Sequence, residues 1–270
     1  MEVTHWSART LQSVVAGTIV TSIHYTSIAI ILRQADLQPH HSRHWKTTVW
    51  DEEAIQRAAS ILWYYERIDW LWSQGIAVVC LDEKPNLQVL ERAAPAQLMQ
   101  PGQIERQEFE YHRHGTVNLM AGMTLHDGHM WSTCLERNDG AHFRPALEQC
   151  LDHFTTYSGV KRFRVILDGG PSHTATDTQA LYQARQPEVR VLFTPAHASW
   201  LNQAELLLGG FSSRYLKRGS WSTADEMIAH LAASTREYND RFAHRFSWSW
   251  TRPQFHDWLD ARAESIQCET

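Results

Sequence analysis

Residues 76–81, Ile-Ala-Val-Val-Cys-Leu, form an unbroken apolar run that ends on Asp82. A run of this length with no in-out alternation fits a strand buried on both faces, as in an open sheet covered by helices. An acid at the end of such a strand is costly to desolvate unless a positive group lies against it. The same kind of junction recurs where 163–167 runs into Asp168, and Glu205 in SWLNQAELL sits at a helix start. Taken singly, these acids read as a turn starter, a loop cap and a first-turn helix charge. Taken together, they are the hard oxygen donors that Mg²⁺ or Mn²⁺ draws from separate elements.

The flanking patterns supply the frame. Residues 86–90, 117–125 and 130–135 read as neighbouring antiparallel strands, the last two joined by a hairpin turn at His126-Asp127-Gly128-His129. Residues 141–157 place Phe143, Leu147, Cys150, Leu151 and Phe154 on one helical face, 163–167 and 189–193 are short strands, and helices are expected over 201–216 and 223–238. Hairpin strands followed by alternating helix and strand predict a mixed α/β sheet flanked by helices. Upstream, 7–16 and 26–33 have helical spacing around a break at Gly17, with Ile28, Ile31 and Leu32 expected to face inward. Residues 51–73 read as one long helix with Ile55, Ala58, Ile61, Leu62, Ile68 and Leu71 as its core face. Between these, 37–46 is a basic, proline-broken linker whose three histidines lack ligand partners at zinc spacing. The expected division is 1–46, a small helical segment with its linker, and 47–270, the α/β domain with its lead-in helix.

A formal net charge of −5 runs against the basic balance usual for duplex binders. Positive groups nevertheless cluster at 33–46, 214–218 and 236–252, each equally readable as a solvated face. Cys80, Cys134, Cys150 and Cys268 are far apart and form no C-x-x-C pair, so neither a zinc ribbon nor a disulfide framework is indicated, and a reducing cytoplasm fits. The stretch 14–32 has no Lys, Arg, Asp or Glu but contains five Ser/Thr residues with His24 and Tyr25, a pattern of neither a signal peptide nor a membrane span. No nucleophile elbow or Cys/His arrangement points to covalent catalysis. Trp248 and Trp250 read as packing residues, and His197 and Trp200 as either loop packing or contacts to a DNA end.

Five blocks, LDEKPNLQVLER (81–92), EYHRHGTVNLMAGM (110–123), VILDGGPSH (165–173), LFTPAHASWLNQAELLL (192–208) and YNDRFAHRFSWSW (238–250), occur in one order and spacing. Together they resemble a DDE transposase of the mariner superfamily, in the bacterial insertion-sequence branch called the "six-thirty" group. The resemblance covers nearly the whole chain from about His5. It implies a ribonuclease H-like fold with Asp82, Asp168 and Glu205 as the catalytic, metal-holding acids, thirty-six residues separating the last two. It further implies metal-dependent DNA cleavage and strand transfer of an insertion sequence; such chemistry uses two ions, here Mg²⁺ or Mn²⁺, with one carboxylate bridging both, and Asp82, central in the sheet, is the choice for it. The implied partners are double-stranded DNA, as transposon ends and a TA target, and a second copy of the chain on that DNA. No membrane is involved, and the setting is the bacterial cytoplasm at the nucleoid. The helices at 7–33 then correspond to part of a helix-turn-helix, and relatives carry a longer amino-terminal DNA-binding region, so the chain is expected to begin partway into it.

Candidate DNA contacts are Arg33, Arg43, Lys46, Lys84, His197, Asn202, Lys217 and Arg218. Ser199 is expected to cap the helix of Glu205 with Asn202 facing the site, and Glu83 and Lys84 are expected to point away from the face of Asp82. Two departures stand out: Gly169-Gly170-Pro171 where many relatives follow the second acid with Asn, and Leu206-Leu207 where an aromatic pair often follows the third. The alternatives are a truncated remnant that binds DNA without transposing, and a ribonuclease H-type nuclease.

Overall fold

In this computed structural model, residues 7–34, 48–245 and 247–268 are described. The chain divides into two compact units, Met1–Thr47 and Thr48–Thr270. In the first, α1 (Ala8–Val15) begins at Ser7, whose hydroxyl accepts from the Thr10 amide, and α2 spans Tyr25–Gln34. Among the described residues of this unit only Ile28 is buried, and Ile31, expected inward, is exposed.

The second unit opens with α3 (Glu52–Tyr65), capped by the Asp51 carboxylate on Ala54 N at 2.8 Å. The expected single helix over 51–73 breaks at Glu66-Arg67, and α4 (Ile68–Ser73) follows. Glu66 is drawn to Arg252, accepting from its backbone N at 2.6 Å and its Nε at 3.1 Å, while the break lets Ile68 and Leu71 reach the core. The apolar run then becomes β1, which continues from Ile76 to Arg92 and so absorbs the separate strand expected at 86–90. Pro85 and Asn86, the latter at φ 56°, form a bulge: Lys84 pairs with Leu119 but Leu87 with Val117. One extra residue reverses which side chains face which side of a strand. Val78 and Cys80 therefore share a core with Val89, beyond the bulge.

β2 (Tyr111–Thr124) and β3 (Met130–Leu135) complete an antiparallel meander. α5 (Gly140–Ser158) crosses to β4 (Arg162–Leu167), and α6 (Pro171–Thr174) and α7 (Thr176–Ala184) lead to β5 (Val189–Phe193). The sheet order is β3-β2-β1-β4-β5, with β1, β4 and β5 parallel. Helices α8 (Ala204–Phe211), α9 (Ala224–Arg241) and α10 (Arg252–Cys268) follow, α8 passing into a π-helical turn at Ser212–Leu216. The helix expected over 201–216 is thus a composite, and α6, α7 and α10 were not foreseen.

Two cores sandwich the sheet. One joins Val78, Cys80, Leu119 and Ala121 to α3, α8 and α9; the other joins Val79, Leu81 and Met120 to α5 and Tyr182 of α7. α5 lies so close that a Cβ on Gly122 would stand 2.9 Å from Cys150 Sγ and from Leu81 Cδ1. Among the described residues, no helix is long and apolar enough to cross a membrane.

Candidate active site

Strand register brings the first two acids together. β1 and β4 run parallel with Cys80 opposite Ile166, so two residues farther on Asp82 and Asp168 come side by side, on strands spaced by about 4.8 Å. Cys80 and Ile166 belong to the same core, so both acids leave the sheet on that side. Glu205 reaches them from the first turn of α8, which packs on β1 and β2. Asn202 fastens this helix start: its Nδ2 donates to the Leu81 carbonyl at 2.8 Å and its Oδ1 accepts from Ala204 N at 3.2 Å. Ser199, the expected cap, lies instead in the preceding 3₁₀ turn (Ser199–Leu201).

Burial first, then repulsion from Glu83, Asp168 and Glu205, pushes the Asp82 carboxyl up to about 7, against a hydrogen bond from Glu83 N at 2.9 Å. Asp168 moves the opposite way. A hydrogen bond from His173 holds its carboxyl below the usual range, overcoming burial and helped by Gly170 N at 3.1 Å. His173 is itself 2% exposed, with Nδ1 2.7 Å from Asp168 Oδ1 and Nε2 2.9 Å from Glu83 Oε1. Burial pulls the imidazole pKa down, but the two carboxylates outweigh it and hold it at about 10. The ring donates to both as an imidazolium.

Among the described residues, no three His, Cys, Asp or Glu side chains stand close enough to hold a metal ion as they are placed. The donor chemistry fits a hard divalent cation nonetheless. Carboxylates from β1, from just past β4 and from α8 lie near enough for Asp168 and Glu205 to add, after burial, to the raised pKa of Asp82, and a hard cation is the partner such acids take.

Asp168 also lines a cleft of about 620 Å³ with Arg57, Gly170, Thr194, His197 and Ser199. Of the expected DNA contacts among the described residues, only His197 stands in this cleft; it is exposed, at φ 62°, and its carbonyl accepts from Thr48 Oγ1. Lys84 lies opposite Leu119, which places it on the face of Asp82, contrary to expectation; Glu83, opposite Met120, does face away. Asn202 is 1% exposed, so it supports the helix and has no surface to offer DNA. Arg33, Lys217 and Arg218 are exposed, and Arg218 Nη1 pairs with Glu105 at 2.9 Å. Arg43 and Lys46 lie outside the described residues. Trp200 packs, its ring parallel to Trp248 at 6.5 Å and edge-on to Trp250 at 5.1 Å. The basic cluster at 236–252 is largely spent within the chain: Arg245 binds both oxygens of Asp69 at 2.7 Å, Arg252 binds Glu66, and Arg241 pairs with Glu237.

Three residues of this site were missed. His173 closes the motif that carries Asp168, five positions on, and Glu83 adjoins Asp82; their spacing could have flagged them. Arg57 carried no signal, since it sits on a helix remote in sequence.

A mixed five-stranded sheet flanked by helices, with one acid on a central strand, a second just past the end of the adjacent parallel strand and a third on a covering helix, defines a ribonuclease H-like domain with an acidic site. The chain belongs to the DDE superfamily endonuclease family, whose model matches residues 77–228, more than half of its length. No match was found among curated proteins. Among solved structures it is similar to the mariner Mos1 paired end complex with Mg, at 16% identity over 90% of this chain and 74% of that one, with a TM-score of 0.55. The Mos1 strand transfer complex is similar at 15% identity, 89% and 77% coverage and a TM-score of 0.52. The Mos1 transposase paired-end complex with left transposon end gives 16%, 89%, 78% and 0.51. At such identity the likeness establishes the fold.

Proposed function

We propose that the chain is a transposase of the bacterial insertion-sequence branch of the mariner superfamily, cutting and rejoining DNA through Asp82, Asp168 and Glu205. The observation that carries this reading is the Asp82 carboxyl, pushed up to about 7 where acids from three elements converge. Groups perturbed by burial and like charge in a cleft are characteristic of working sites. Asp82, Asp168 and Glu205 would hold Mg²⁺ or Mn²⁺, in all two ions, which when bound activate an attacking oxygen and stabilise a leaving one in phosphodiester exchange.

The chain's own residues set the stage. Asn202 locks the start of α8 to β1 and so fixes the approach of Glu205. Arg57 and His197 present positive or hydrogen-bonding groups to a phosphate backbone lying in the cleft beside Asp168. Water would serve as nucleophile for end cleavage and a DNA 3′-hydroxyl for joining, both in line with the leaving oxygen. The helices of the first unit, with Arg33 exposed in the last turn of α2, would contribute to gripping the transposon ends as part of a helix-turn-helix. Two copies acting on two ends, with insertion at TA, complete the reading.

The test is a cleavage and strand-transfer assay on labelled DNA carrying the element's own ends, with Mn²⁺ or Mg²⁺, beside the Asp168→Ala variant. Metal-dependent cutting and joining that vanish in the variant are expected. Cutting without joining would replace the proposal by a ribonuclease H-type nuclease, and DNA binding without cutting by a non-transposing remnant.

A further inference from the structure

Glu83 and Asp82 leave β1 on opposite sides, yet one buried ring connects Glu83 to the acid beside Asp82. His173 lies against Phe143 of α5, ring centroids 4.5 Å apart, on the side of the sheet away from α8. From there Nε2 meets Glu83 Oε1, whose side chain is only 8% exposed, and Nδ1 meets Asp168 Oδ1. Asp168 Oδ1 also accepts from Gly170 N, and a Cβ on Gly170 would stand 3.1 Å from that oxygen, so the backbone closes tightly around it.

We infer that His173, oriented by Glu83, is a positioning residue that fixes the Asp168 carboxylate and commits its Oδ1 to the protein, leaving Oδ2 as the oxygen presented to a divalent cation. This rests on the metal-site reading above. Two donors on one oxygen set both the rotation of the carboxylate and the oxygen that remains for a ligand. Glu83 acts at one remove, since an acceptor on Nε2 fixes the plane of the ring whose Nδ1 meets Asp168. Partners behind a metal-ligating group commonly change metal affinity by about 10–100-fold when removed.

The experiment is Mn²⁺ binding to the full chain, followed by electron paramagnetic resonance, with circular dichroism as the check on folding. His173→Ala is expected to weaken Mn²⁺ binding about tenfold or more, and Glu83→Gln and His173→Gln, which each keep part of the hydrogen bonding, to fall between it and the parent. Because His173 works through Asp168, His173→Ala should cause no further loss in the Asp168→Ala background. Affinity within twofold of the parent for His173→Ala, or an equal loss in both backgrounds, overturns the inference. Should His173→Ala fail to fold, the near-isosteric Glu83→Gln decides: a weakening that disappears in the Asp168→Ala background supports the inference, and affinity equal to the parent's overturns it. An Asp168→Ala chain that binds Mn²⁺ as well as the parent sinks the metal-site reading itself, whereas a weak Asp168→Ala beside an unaffected His173→Ala sinks only the positioning role.

Discussion

His173 and His129 are both withdrawn from water, and each has an aspartate close by, yet they are held in opposite charge states. His173 lies between two carboxylates, each meeting one ring nitrogen, and its pKa stands at about 10. His129 sits in the β2–β3 turn, where burial first and then His153 push its pKa down, and burial does the same to His153. Its Nε2 faces His153 Nε2 at 3.1 Å, and its ring stacks on Tyr157 at 3.6 Å. Asp127 offsets the downward push only in part: its charge raises the pKa of the ring, while its oxygens accept from Thr124 Oγ1, the His129 amide and the Tyr157 hydroxyl. Burial acts in the same direction on both histidines. The difference lies in whether carboxylates meet the ring nitrogens directly, as Asp168 and Glu83 do at His173, or act on the ring through charge alone, as Asp127 does at His129.

The sharpest way to break the contrast is His173→Ala, which leaves Glu83 buried without its partner. Urea unfolding at neutral pH should show a loss of about 3–5 kcal/mol, the usual consequence of removing one member of a buried pair. Adding Glu83→Gln to that variant should recover part of the loss, since the stranded charge is then gone.

On the other side, Gly128 shapes the turn that carries His129. It stands at φ 76°, and a Cβ there would come 2.1 Å from the His244 carbonyl oxygen, a backbone atom that cannot swing aside. Gly128→Ala should therefore lower stability by about 2–3 kcal/mol in the same assay.

The pH response sharpens the comparison further. His129 and His153 are depressed from 6.5, so the unfolded chain takes up protons before the folded one does. Their contribution is complete above about 6.5 and is lost as pH falls below it, with a slope of no more than about 1.4 kcal/mol per pH unit for each proton. Melting temperatures followed from pH 7.5 to pH 5 should fall less steeply in His153→Gln than in the parent. The smallest effect is expected from Tyr157→Phe. Its hydroxyl bond to Asp127 is at a half-exposed residue, and its loss should cost under about 1 kcal/mol.

The elements that sequence reading located best are those whose pattern is local. Residues 76–81 are a doubly covered strand, 163–167 and 189–193 are its parallel companions by position, and the helix expected over 141–157 is α5 with one residue added at each end. The errors lie where a distant partner intervened. β1 runs on through Pro85 because a bulge absorbs the extra residue, and the lead-in helix breaks where Glu66 is claimed by Arg252, 186 residues away. Asn202, read as facing the site and as a DNA contact, is drawn inside by the Leu81 carbonyl. The arginines of 236–252 stay near the surface, but Asp69 pairs with Arg245 and Glu66 with Arg252.

The sequence by itself determined the strand runs, the acids that terminate them and the mixed sheet they build, because apolar run length and the period of side-chain direction are properties of neighbouring residues. Only the tertiary structure decided that Asp82 and Asp168 are in register, that Glu83 reaches Asp168 through His173 from the other side of the sheet, and that Arg57 joins their cleft. Those pairings join elements far apart in the chain, and the charge each group then carries depends on desolvation and on which lone pairs remain free, quantities that exist only once the chain is packed.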